Sequence, residues 1–391
     1  MPNVVQRLIG WFFYRDEEDE ARRRTWQPPG PSSDGYPQEN RGNVYGGQQR
    51  VTREGVHDVQ PDQQRAPVIE DRGRTPEQQV PADPPAPSPR RKAPPAPPPD
   101  PTPWDPPVVG RPIPWFRPKP PNAEAYRPDY VADGWSTPHF TIRVASARGY
   151  AHRYTGDPRQ DDVAVAWHRP TGAVLFAVAD GVGNAPLSHI GATSACRAAI
   201  GYMTAGLNSP EEAVDWSELL QSAAWQVCEQ ARISLGLSRI DKAAAEEQMA
   251  TTLVAGCVMP EADGAKVTFV QAGDSSAWML NPRERRYRCL APTKYRRGEE
   301  VVSNAVVALP RVPSNSVRSG SVLPGEILLV GTDGFGDALG DGENAVGDHF
   351  VRTLSEVPPV LKFANDLDFS FETWDDDRTL FALWPHHPAG R

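Results

Sequence analysis

The sequence predicts an α+β domain with antiparallel sheets, carried behind a proline-rich arm. Two observations lead there. Of the 43 prolines, 28 fall in residues 1–130 and only 15 in residues 131–391, so the chain changes texture about a third of the way along. Beyond that point, short apolar β-rich runs outnumber helical stretches and follow one another at hairpin-like spacing, without strand–helix–strand alternation. Charge divides at the same place. Residues 1–130 hold 18 Lys+Arg and 18 Asp+Glu; residues 131–391 hold 23 and 32, which is the whole net charge of −9.

Taken in order, residues 1–25 read as a short amphipathic segment. Val4, Val5, Leu8, Ile9 and Phe12 share a face, followed by an acidic cluster (Asp16–Glu20) and a basic one (Arg22–Arg24). It is a docking peptide, a peripheral membrane anchor or an unstructured terminus; repulsion of the acidic cluster by anionic lipid disfavours the anchor. Residues 26–137 read as a disordered Pro-rich linker, with too little apolar surface to offset its ordering entropy. Its run 81–107 carries PxxP patterns that suit an aromatic groove on a docking partner, although a semi-rigid tether is the commoner use.

The folded domain is expected over residues 138–387. Phe140–Ala147 opens it as a strand, and Val163–Trp167 and Val174–Ala179 pair across a turn at Pro170–Gly172. Ser188–Leu207 has helical spacing at Ile190, Ala195 and Ala199. Pro210–Leu235 is a second helix, with Glu211 and Glu212 in its first turn and Gly236 after its end. Strands are expected at Thr252–Val258, Lys266–Ala272, Ala277–Asn281, Tyr287–Leu290, Val301–Leu309, Ile327–Gly331 and Thr379–Trp384. Short helices fall near Gly336–Leu339 and Ala345–Glu356.

Composition removes several classes of function. An acidic domain without a basic stripe does not suit nucleic acid. Cys196, Cys228, Cys257 and Cys289 form no CxxC pair, which fits a reducing, cytoplasmic setting better than disulfides or zinc. No run approaches the roughly 20 apolar residues of a transmembrane segment, and the N-terminus does not have the pattern of a secretory signal. Arg outnumbers Lys 35 to 6, as in GC-rich bacterial genomes.

Five acidic motifs punctuate the domain: RQDD (159–162), ADGVG (179–183), AGDSS (272–276), TDGFGD (332–337) and WDDDR (374–378). Four of them abut a strand and end its apolar run. A lone Asp-Gly is usually a turn, but a set at strand ends implies convergence. Within the motifs only Arg159 and Arg378 are cationic, so converging carboxylates would raise one another's pKa unless divalent cations held them. Oxygen donors without His or Cys select hard metals, Mg²⁺ or Mn²⁺.

The order QDD, VADGVG, ATTLVAG, VQAGDSSAW, LLVGTDGFGDAL, DDRTLFALW resembles the metal-dependent Ser/Thr protein phosphatases of type 2C, the PPM family. It is most similar to the bacterial branch whose first motif ends in QD, here RGYAHRYTGDPRQDD (148–162). The resemblance covers about residues 140–385. It implies two stacked antiparallel sheets flanked by helices, an αββα sandwich, with two metals, or three, at one edge. It assigns Asp180 as the bridging carboxylate, the Gly181 carbonyl as a ligand, and Asp333 and Asp376 as ligands of the first metal. Asp274 and Asp337 fall at the looser third position. Asp161 matches the acid that orients the attacking water, with Asp162 as the alternative one residue on. Thr251 and Thr252 match a structural Thr-Thr pair.

The chain departs from the family pattern in four places. Gln160 replaces the usual Glu, and Val182 the usual His after DG. The phosphate-binding Arg would fall at Gly156, leaving Arg153 or His152 to supply its charge. The acidic flap motif is not evident in 291–302, where Lys294, Arg296 and Arg297 form a basic cluster.

The implied activity is hydrolysis of phosphoserine or phosphothreonine in proteins, a signalling role, by in-line attack of water activated between cations bridged by Asp180. The rival is a pseudophosphatase that binds a partner or phosphopeptide without turnover. The missing Arg supports the rival; the intact Asp180, Asp333 and Asp376 oppose it.

Overall fold

The computed structural model describes residues 105–121, 127–208, 214–291, 307–313 and 317–386. The amphipathic reading of residues 1–25, the linker up to residue 104, the start of the helix at Pro210, the basic cluster of 292–297 and most of the strand expected over 301–309 lie outside the described residues.

The strands are β1 (Tyr130–Ser136), β2 (Phe140–Ala147), β3 (Asp162–His168), β4 (Ala173–Ala179), β5 (Leu253–Glu261), β6 (Gly264–Ala272), β7 (Ser276–Asn281), β8 (Arg286–Ala291), β9 (Arg318–Val322), β10 (Ile327–Gly331) and β11 (Arg378–Pro385). The helices are α1 (Tyr150–Thr155), α2 (Ser188–Leu207), α3 (Trp216–Ser234), α4 (Lys242–Met249), α5 (Asp333–Leu339), α6 (Ala345–Leu354) and α7 (Val360–Leu367).

Two antiparallel sheets stack face to face, in the order β1-β2-β11-β10-β7-β8 and β3-β4-β5-β6-β9. Side chains alternate across each strand, and both faces of the central strands are covered, which explains their unbroken apolar sequence. In β10 and β11, Leu328, Val330, Phe381 and Leu383 enter the core between the sheets. Their neighbours Ile327, Leu329, Leu380 and Ala382 enter a second core beneath α5, α6 and α7. Phe176 of β4 stacks on Phe381 of β11 across the sandwich, centroids 5.0 Å apart. On the opposite side α2 lies on β3, β4 and β5, and α3 and α4 pack on it.

The domain starts earlier than residue 138. Strand β1 runs antiparallel to β2 along its whole length, Tyr130 facing Ala147 and Ser136 facing Thr141. Residues 107–119 are laid against the domain, with Val109 buried. The strand signal of β1 is weak because YVADGWS at a sheet edge holds Asp133 and Gly134 among its apolar residues. Helix α1, helices α4 and α7 and strand β9 were likewise not expected; all are of eight residues or fewer.

Antiparallel pairing brings the chemistry to one edge. Ala147 at the end of β2 faces Arg378 at the start of β11. Gly331 at the end of β10 faces Ser276 at the start of β7, and Asp162 faces Ala179 at the end of β4. Four of the five acidic motifs directly abut these ends, and AGDSS fills the β6–β7 turn beside them.

Candidate metal centre

At this edge lies a cleft of about 240 Å³ lined by His152, Gln160, Asp180, Gly181, Val182, Gly183, Thr252, Asp274, Asp333 and Asp376. Asp180 is fixed through its backbone as the chain leaves β4. Its N–H donates to Thr252 Oγ1 (2.9 Å), and its carbonyl accepts from the Thr252 amide (2.7 Å) and Thr251 Oγ1 (2.8 Å). Thr252 Oγ1 in turn meets Ser275 Oγ at 2.8 Å, tying in the GDS turn. Gly181 packs so tightly on Ser188 that a Cβ there would come within 2.7 Å of its side chain, so the bare backbone is what this loop presents.

Asp333 opens α5, directly after Thr332. The Thr332 hydroxyl does not cap that helix. It donates to Asp161 Oδ2 (2.7 Å) and accepts from the Thr379 amide (3.0 Å), joining β10, β11 and the first motif. Asp161 is thereby buried, with Asp180 among the carboxyls near it. Asp162 turns away, accepts from Thr193 and the Val163 amide, and faces Arg127 at 3.8 Å.

Asp180, Asp274 and Asp333 each offer a ligand atom within 4.8 Å of the others. Asp376 faces the cleft from the last motif. Asp337, one turn further along α5, is outside that group and does not line the cleft. Burial pushes the carboxyls of Asp161 and Asp180 well above the usual range, reinforced for Asp161 by Asp377 and for Asp180 by Asp333. Asp376 is exposed at the cleft, and its carboxyl is raised to about 6 by partial desolvation and then by Asp377 and Asp333.

Arg153, a candidate for the missing phosphate-binding charge, is placed elsewhere. It is buried, forks onto Asp368 (2.9 and 3.1 Å), and lies about 5 Å from the ring centroids of Tyr130 and Tyr150. The guanidinium points away from the cleft, since one residue along a helix turns the side chain by about 100°. His152 takes the cleft side, with Nδ1 2.9 Å from Asp377. Burial works against its charge, yet that bond and the nearby carboxylates hold its pKa up to about 9. Gly156, where the family's Arg would fall, ends α1 with a left-handed φ of 96°, a conformation that favours glycine.

The sequence reading missed Asp377. It is buried, accepts from the Gly149 amide (2.5 Å) and the Gln160 amide (2.5 Å), and lies 2.9 Å from His152 Nδ1 as an ion pair. Burial pushes its pKa up, but these donors outweigh it and leave it below the ordinary value. It therefore latches the first motif to the last. Nothing in WDDDR distinguishes it from its neighbours; only the strand register decides which carboxylate points inward.

The donor set fits divalent cations: several oxygen ligands converge, the ionised forms of Asp180 and Asp376 are disfavoured in the bare protein, and no Lys or Arg lines the cleft among the described residues. The sequence profile of the family described as protein phosphatase 2C matches residues 148–367, more than half of the chain. The chain belongs to the protein phosphatase 2C family. Similar solved structures include a bacterial serine phosphatase (16% identity, 64% of this chain and 99% of that one, TM-score 0.45). Another is PppA of Pseudomonas aeruginosa (18% identity, 65% and 100%, TM-score 0.41). A third is the serine/threonine phosphatase of S. agalactiae (16% identity, 63% and 100%, TM-score 0.42). No curated protein matches the sequence. No helix of the described residues is long and apolar enough to cross a membrane.

Proposed function

We propose that this chain is a phosphoserine/phosphothreonine protein phosphatase dependent on Mn²⁺ or Mg²⁺, working on cytoplasmic phosphoproteins. The observation that carries this reading is the convergence of Asp180, Asp333 and Asp376 from three separate strand ends into one cleft, with Asp161 buried close by and no Lys or Arg in the lining among the described residues. Asp180, the Gly181 carbonyl, Asp333 and Asp376 would hold the metals, with Asp274 as a further ligand. When bound, the cations supply Lewis acidity to the phosphoryl group and the attacking water.

The chain's own residues do the positioning. Asp161, anchored through Thr332, orients a water beside Asp180. His152, oriented by Asp377, presents the one basic side chain that lines the cleft among the described residues and replaces the family's Arg in holding the phosphate. The intact carboxylate set disfavours the pseudophosphatase reading. Incubating purified chain with Mn²⁺ and a phosphothreonine peptide should release phosphate. Metal binding without release would overturn the enzyme reading.

A further inference from the structure

Helix α1 carries the one imidazole that lines the cleft among the described residues, yet is a poor helix by itself. It has six residues, and no side chain caps its N-terminus. Isolated helices of this length do not persist in water, so contacts from outside must hold it. On one side they come from the last motif, through the Ala151 amide to the Asp375 carbonyl (2.9 Å) and His152 to Asp377. On the other they come from residues 107–119, a stretch whose composition reads as linker.

This stretch is attached at both ends. Near its start, Val109 donates to the Ser370 carbonyl (3.0 Å) and Ser370 donates back to the Pro107 carbonyl (2.8 Å). The Ile113 amide then reaches Ser370 Oγ (3.0 Å). Near its end the Lys119 amide donates to the carbonyl of Arg153 (2.8 Å), one of the α1 carbonyls that the helix itself cannot satisfy. Arg148 donates to the Lys119 carbonyl (3.1 Å) and to the His152 carbonyl (2.7 Å), bridging the two. Between these ends Phe116 sets its ring edge-on to Tyr150 (6.3 Å) and Tyr154 (5.6 Å), and the Lys119 ammonium lies 5.1 Å over the Tyr154 ring.

Proline suits this role. Pro112, Pro114 and Pro118 have no N–H to leave unpaired on a segment that bonds the domain only at intervals. They also restrict the free chain, so less entropy is lost when it docks.

We propose that residues 107–119 form a working strap of the catalytic domain, and that Phe116 is a positioning residue which fixes α1 and, through it, His152. The proposal rests on the phosphatase reading for its effect on turnover, but not for its effect on α1. In the full chain, Phe116→Ala should speed hydrogen exchange of the amides of 150–156 by about tenfold or more, while the amides of α2 stay unchanged. With Mn²⁺ and a phosphothreonine peptide, kcat/KM should fall about tenfold. Phe116→Tyr should restore both. Tyr154→Ala should reproduce the loss, and the double variant should lose little more than either single one. The strap is overturned if exchange of 150–156 is unchanged in both single variants, if α2 loosens equally, or if Phe116→Tyr does not rescue. A wild-type chain without turnover sinks the phosphatase reading alone, because the exchange measurement still decides the strap.

Discussion

Asp376 and Asp377 are adjacent in the chain and opposite in their surroundings. Asp376 faces the cleft, and its pKa is raised to about 6 by partial desolvation and by Asp377 and Asp333. Asp377 points inward and, despite burial, is held below the usual range by His152 and the Gln160 and Gly149 amides. The same contrast separates two rings around the site. In the outer ring Asp377, Asp368, Asp162 and Asp129 meet His152, Arg153, Arg127 and Arg148. In the inner ring Asp161, Asp180 and Asp376 mostly meet one another. The outer ring is complete as protein and carries structure. In the inner ring the carboxyls disfavour one another's ionised forms, which a bound cation would relieve.

The sharpest way to break this comparison is to neutralise one member of each ring. Asp180→Asn should lower kcat by about a thousandfold or more, equivalent to about 4 kcal/mol of transition-state stabilisation. Without metal, its urea unfolding free energy should match or exceed that of the wild type, because a disfavoured buried charge has gone. Asp377→Asn should do the reverse in stability. An amide cannot accept all three donors, and metal-free unfolding should become easier by about 3 kcal/mol. Equal destabilisation by the two substitutions would erase the distinction between the rings. The next effect in size is the metal itself. Mn²⁺ at about a hundred times its Kd should stabilise the wild type by about 2.7 kcal/mol in a thermal melt at pH 7, and Asp180→Asn should lose most of that gain.

Much of this organisation was legible in the sequence. Strand β2 and helix α2 have the boundaries expected, because long apolar or helical-period runs bounded by turn residues leave little choice. Asp161, Asp180, Asp333 and Asp376 were legible because each sits in an acidic motif beside an apolar strand and the order of those motifs resembles a known family. The outer ring was not. Asp368 and Arg127 sit in no motif, and their roles depend on contacts 215 and 66 residues away along the chain, to Arg153 and Thr193. Arg153 was misread for the same reason, since nothing local says which way a side chain on a six-residue helix will turn. The boundary at 138 failed because proline density measures local apolar poverty, and the strap of 107–119 is stabilised by surfaces supplied from elsewhere in the chain.

The smallest expected effect separates the rings by sign. For the outer pair, His152 titrates near 9 in the fold against about 6.5 when free. Its contribution is present below the free value and is lost as pH rises through about 9. Asp377 is depressed, so its contribution is present above about 3.9 and is lost as pH falls through its lower folded pKa. Between roughly pH 4 and 6 the pair is therefore constant. Over that same window the inner ring acts against the fold. Asp376 keeps its proton to about 6 in the native state and gives it up near 4 when unfolded, so the native state binds more protons and stability falls as pH rises. Asp376 is exposed, so solvent screens much of this effect, and the metal-free chain should lose on the order of a degree of thermal midpoint between pH 4 and 6. Asp376→Asn should reduce that slope, and His152→Gln should steepen it, because His152 holds the Asp376 carboxyl down. A slope unchanged by Asp376→Asn would assign the titration to other carboxyls, Asp161 and Asp180 of the inner ring first among them.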